Sequence, residues 1–167
     1  MKKTVVVGLG NPIVSDDSIG LKIAELLEPY FEGNSSTDVI YNYRGGLSLM
    51  ESLVGYDEAV IIDAMVSGKD KPGSLYKLSL EDAVYTKNCA STHDMDLISA
   101  MKFGELGGYK LPKKVMIFGV EAQDISTFSE DLTPELQKAV PHIVEQILLE
   151  LNANCFEHIL ESKGGQK

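Results

Sequence analysis

The tightest constraint on this chain is a rhythm in which short, continuously apolar β-branched runs alternate with segments of helical spacing. Val5-Val6-Val7, Val60-Ile61-Ile62 and Val115-Met116-Ile117-Phe118 lack the in–out alternation of a strand with one wet face. They read as strands covered on both sides. Strands are expected over residues 4–7, 38–43, 59–63, 74–80 and 114–120. Helical patterns lie between them. The first spans about 17–30, with Ile19, Ile23, Leu26 and Tyr30 on one face, and a short one covers 47–53. A third follows Ser91-Thr92-His93-Asp94, which has the form of a capping box, and continues through Met95, Ile98 and Met101. The last opens at Thr133-Pro134 and places Leu136, Val140, Ile143, Ile147 and Leu151 on one face, with a kink expected at Pro141. This order predicts an α/β fold, a three-layer α/β/α sandwich around a mostly parallel, five-stranded twisted sheet. Residues 1–160 form a single domain, and 161–167 are a polar tail expected to be disordered.

Composition removes several classes of function. A net charge of −10 opposes nucleic acid, whose phosphates need clustered Lys and Arg. No apolar run is long enough to cross a membrane, and the Met1-Lys2-Lys3 start runs straight into a strand rather than a secretory signal. Cys89 and Cys155 have no CxxC spacing and read as reduced thiols, which suits the cytoplasm.

In parallel α/β sheets, sites form where strands end and helices begin. The first such turn is Gly8-Leu9-Gly10-Asn11-Pro12-Ile13-Val14-Ser15-Asp16-Asp17-Ser18-Ile19-Gly20. It fails the Gly-x-Gly-x-x-Gly test at Ile13, and its aspartates would repel a pyrophosphate. Asp16 and Asp17 either cap the helix or leave one carboxylate for a cation or for acid–base work. Asp63 ends the third expected strand, where a carboxylate needs backbone donors or a cation. If the first and third strands are neighbours, Asp17 and Asp63 face each other. Of three histidines, His142 and His158 read as solvated surface, whereas His93 sits at a helix start that keeps imidazole neutral and able to ligate. Asp94 or Asp96 would orient its ring. Two carboxylates and an imidazole make an O,O,N set suited to Ni²⁺ or Zn²⁺.

These motifs, in this order, resemble the [NiFe]-hydrogenase maturation endopeptidases. The resemblance rests on Gly8-Leu9-Gly10-Asn11 with Asp16-Asp17-Ser18-Ile19-Gly20, on Ile62-Asp63-Ala64 and on Ser91-Thr92-His93. Lys71-Pro72-Gly73-Ser74-Leu75, Val115–120 and Leu132-Thr133-Pro134-Glu135 support it. It implies a phosphorylase/hydrolase-like fold. It also implies removal of the C-terminal extension of a hydrogenase large-subunit precursor after nickel insertion. The metal ligands it implies are Asp17, Asp63 and His93, reading nickel supplied by the substrate, with zinc or cadmium able to substitute. Peptide hydrolysis then needs either the metal or a carboxylate such as Asp16 or Asp17 as general base. No HExxH helix is present.

One segment departs from the family pattern. Where an acidic residue often precedes Gly-Gly, the chain has Arg44-Gly45-Gly46, a candidate substrate-recognition segment with reversed charge. The expected partner is the large-subunit precursor, met by a monomer. Two alternatives remain at this point. One is a metal-dependent binding or chaperone module without hydrolysis. The other is a peptidyl-tRNA hydrolase-like esterase, which shares Gly-Leu-Gly-Asn-Pro but has a Thr-Arg-His-Asn segment missing here.

Overall fold

A computed structural model describes residues 2–90 and 95–153. The elements are β1 (Thr4–Leu9), α1 (Ile19–Phe31), β2 (Thr37–Asn42), α2 (Gly46–Leu53), β3 (Glu58–Met65), β4 (Leu75–Leu78), α3 (Leu97–Leu106), β5 (Lys114–Glu121) and α4 (Pro134–Ala153). One five-stranded sheet has the order β2-β1-β3-β5-β4. The first four are mutually parallel, and β4 is an antiparallel edge strand.

The apolar runs explain the layers. Successive residues of a strand point to opposite faces. Val6, Val60, Ile62, Met116 and Phe118 pack beneath α1 and α4, while Val5, Val7, Ala59, Ile61 and Ile117 pack beneath α2 and α3. Every residue of β1 and β3 is buried, so the three-layer α/β/α sandwich is the way these strands leave water.

Details differ from the sequence expectation. The buried face of α1 is Ile19, Ile23, Leu27 and Phe31, while Leu26 and Tyr30 are half-exposed. The i+4 row, not the i+7 drift, lies against the sheet. Neither aspartate caps α1. It starts at Ile19, behind a 3-10 turn over Ser15–Ser18, with no side-chain cap. The third helix begins at Leu97, not in the Ser91 box, because Asp96 is its N-cap and accepts the Ser99 N–H. Met95 therefore precedes the helix. Residues 91–94, Cys155, His158 and the 161–167 tail lie outside the described residues. The α4 face falls on Leu136, Val140, Ile143, Ile147 and Leu151 as expected, and the helix runs continuously through Pro141.

Gly20 is what lets α1 sit close to the sheet. A Cβ there would lie 2.2 Å from the Ile62 carbonyl oxygen and 2.3 Å from that of Leu9. Among the described residues, no helix is long and apolar enough to cross a membrane.

Candidate functional site

The site lies at the carboxyl ends of β1 and β3, which are adjacent and in register through Gly8 opposite Ile62. The turn after β1 carries Asp16 and Asp17. It includes Ser15 at φ +31°, a left-handed conformation that costs a non-glycine residue about 1–3 kcal/mol. Ser15 is held there by its N–H to the Ser129 carbonyl (2.8 Å) and by the Ser18 hydroxyl on its own carbonyl (2.7 Å).

That turn sends its two carboxylates in different directions. Asp16 is fully buried and accepts four hydrogen bonds, from the backbone N–H groups of Gln123, Asp124 and Thr133 and from the Thr133 hydroxyl, at 2.7–3.0 Å. It fastens the loop between β5 and α4 to the turn after β1. Asp17, 2% exposed, turns toward Asn88 and Lys87 instead. Its Oδ2 accepts the Asn11 N–H at 3.0 Å. Its Oδ1 faces the Asn88 side-chain amide at 3.2 Å and the Lys87 ammonium at 3.9 Å.

Asp63 is fully buried and sits two residues inside β3, opposite Gly119 of β5, rather than at the strand's end. Its Oδ2 accepts the N–H groups of Asn88 (2.9 Å) and Cys89 (3.2 Å), and its Oδ1 accepts the Ala64 N–H (2.9 Å) and Asn88 Nδ2 (2.7 Å). Burial pushes its carboxyl up to about 6; the Asn88 hydrogen bonds oppose that rise and the nearby Asp17 charge adds to it. Burial likewise pushes the neighbouring Cys89 thiol well above its usual range, so this free cysteine is an unreactive packed residue.

A raised carboxyl has a signed consequence. The folded value near 6 exceeds the ordinary 3.8, so protonated Asp63 favours the fold. That contribution is complete below about pH 4 and lost as pH rises through 6, and it amounts to roughly 2–3 kcal/mol. The protein is therefore expected to gain stability from pH 7 to 5. Below pH 4 it weakens again, as carboxylates such as Asp124, held to about 2 by hydrogen bonds from Thr127 and Ser126, take up protons. Denaturant melts of the wild type and Asp63→Asn across pH 4–7 check this. A wild-type-minus-variant difference that is flat with pH contradicts the assignment.

The Asp17–Asp63 pair thus meets as expected, and both Oδ1 atoms converge on one nitrogen. Two carboxylate oxygens aimed at one donor nitrogen supply two of the oxygen ligands a divalent cation takes; among the described residues no third His, Cys, Asp or Glu joins them. His93 lies outside the described residues. The described flanks of its segment are joined at the crevice, where the Leu97 N–H meets the Cys89 carbonyl at 3.0 Å. His142 is an exposed residue of α4, 3.9 Å from Glu145.

Asn88 and Lys87 are the site residues the sequence reading passed over. Asn88 stands 71 positions from Asp17 and 25 from Asp63, so no local spacing announces it. Its neighbour across the crevice is Gly45, where a Cβ would lie 1.9 Å from the Asn88 carbonyl oxygen. This contact brings the Arg44-Gly45-Gly46 segment to the site's rim. Arg44 lines a groove of about 200 Å³ with Gly45, Leu47, Ser48 and Met95. Among the described residues it has no carboxylate partner.

Comparison with known proteins follows the same lines. Residues 21–150 match the family model described as HycI, hydrogenase maturation protease. The hydrogenase 2 maturation protease of Escherichia coli (strain K12) is 30% identical over 163 residues, covering 94% of this chain and 95% of that protein. The solved structure of the hydrogenase maturating endopeptidase HybD from E. coli superposes with a TM-score of 0.73 at 25% identity, covering 92% of this chain and 94% of that one. The [NiFe] hydrogenase maturation protease HybD from Thermococcus kodakarensis shares the fold, with a TM-score of 0.57 at 23% identity over 89% of this chain and 98% of that one.

Proposed function

The chain belongs to the hydrogenase maturation protease family, and from that premise we propose that it removes the C-terminal extension of a [NiFe]-hydrogenase large-subunit precursor once nickel is in place. It is an endopeptidase whose crevice reads the nickel of its substrate through Asp17, Asp63 and His93. The observation that carries the reading is the convergence of Asp17 Oδ1 and Asp63 Oδ1 on a single nitrogen, Asn88 Nδ2. In a buried place, two anionic oxygens so arranged favour a cation over any neutral peptide group.

The roles divide by surroundings. Asp16 has four donors and belongs to the scaffold, leaving Asp17 as the carboxylate that faces substrate. Asp17 accepts the proton of the attacking water as general base. The hydroxyl adds to the scissile carbonyl carbon and the C–N bond breaks. The proton goes to the departing amine, so the products are the mature subunit's carboxylate and a free peptide. Arg44 at the rim takes an anionic group of the substrate, since the crevice itself repels anions.

The test is processing of a nickel-loaded and a nickel-free precursor, read by mass. Loss of a C-terminal peptide from the loaded form alone is the expected result. Intact precursor bound in a stable complex would instead make the chain a binding module. In the same assay Arg44→Glu is expected to raise KM about threefold to tenfold with kcat little changed, as exchange of one exposed ion pair to substrate for a like-charge contact implies. A falling kcat at constant KM removes Arg44 from substrate recognition.

A further inference from the structure

Asn88 is where both carboxylates meet, and it meets them with one atom. An amide nitrogen carries two hydrogens, enough for one bond to Asp63 Oδ1 at 2.7 Å and one to Asp17 Oδ1 at 3.2 Å. It has no lone pair to offer a cation. The oxygen lone pairs that receive these hydrogens are the ones a bridging cation would use, so amide and cation compete for the same place.

We propose that Asn88 is a positioning residue that holds the cation's place: its side-chain amide spans Asp17 and Asp63 in the cation-free protein and is displaced when a divalent cation enters. The backbone beneath it is fixed. The Asn88 and Cys89 N–H groups are tied to Asp63 Oδ2, and the Asn88 carbonyl is pressed against Gly45. Displacement therefore needs only side-chain rotation, which is fast and requires no opening of the fold. Lys87, 3.9 Å from Asp17 and 40% exposed along its side chain, is the counter-charge beside it. Without the amide, two buried carboxylates would face each other with little else to separate them, a costly arrangement. With it, the pair stays parted and satisfied.

The consequence is a threshold. A cation must replace two hydrogen bonds before it gains its own ligands, so affinity for free ions is held down. On the proposed function above, and only there, this threshold distinguishes nickel presented in a precursor from stray metal.

The test uses the full chain and Zn²⁺, which is diamagnetic. Chelator competition is expected to give Asn88→Ala a Kd about tenfold lower than wild type, since each charged hydrogen bond that no longer has to be displaced favours the ion. Asn88→Ala is also expected to melt below wild type without zinc and level with it when zinc-saturated. Asn88→Ser serves where the alanine variant does not fold. In the wild type, the Asn88 side-chain amide signals, assigned by their absence in the variant, are expected to exchange slowly with solvent and to lose that protection as zinc is added. Equal or weaker zinc binding by both variants overturns the inference, as does amide protection that survives zinc saturation. A wild type that binds no zinc overturns the cation site and this inference together. Failure of precursor processing alone touches neither measurement.

Discussion

Asp63→Asn is expected to reduce precursor processing on the order of a thousandfold or more, because it removes the charge that both the cation and the site's geometry require. The substitution preserves shape but not function. An asparagine has one acceptor oxygen where the two of Asp63 receive the Ala64, Asn88 and Cys89 N–H groups and the Asn88 amide. The Asn88 and Cys89 N–H groups would then face an NH₂, each mismatch costing about 1–3 kcal/mol. Relief of the buried charge offsets part of that cost, since burial already raises this carboxyl to about 6. The variant should therefore fold with a modestly shifted melting temperature while losing activity. The informative pair of measurements is a denaturant melt and the mass assay on one preparation. Processing within tenfold of wild type would sink the assignment of Asp63. Asp17→Asn should lose activity with a smaller effect on folding, because among the described residues Asp17 receives only the Asn11 and Asn88 bonds and Lys87.

The second large effect is structural. Gly20→Ala is expected to cost more than about 4 kcal/mol, enough to leave little folded protein at 37 °C. The added methyl would meet two backbone carbonyl oxygens, of Ile62 and Leu9, at 2.2 and 2.3 Å. Strand backbones in the middle of a sheet cannot yield as a side chain would. Any escape pushes α1 outward, and Asp17, three residues earlier, moves with it. Gly68→Ala is the matched control. It has open space around it and only its φ of +68° to strain, so it should cost about 1 kcal/mol. Equal expression and melting of the two variants would show that the close approach of α1 is not what Gly20 provides.

Much of this was legible in one dimension. Three β-branched runs foretold the buried central strands, and the five strand positions fell within a few residues of those observed. The third helix was displaced because two capping candidates, Ser91 and Asp96, lie five residues apart. Propensity alone does not choose between them, whereas the observed Asp96–Ser99 bond does. The capping reading of Asp16 and Asp17 failed for a related reason. A 3-10 turn intervenes before α1, and it rotates the two carboxylates away from the helix's own N–H groups.

Hydrophobic periodicity and Gly–Asp punctuation are local signals, and they were sufficient to determine the layered α/β/α architecture and the acidic ends of the first turn and third strand; they allowed β1 and β3 to be neighbours, and the sheet order made them so. The tertiary structure alone decided which carboxylate does what. Asp16 is consumed by a loop more than a hundred positions away, and Asn88 joins an aspartate of the turn after β1 to one inside β3. A hydrogen bond is directional and forms only where the completed sheet brings donor and acceptor within about 3 Å, a condition that spacing along the chain does not encode.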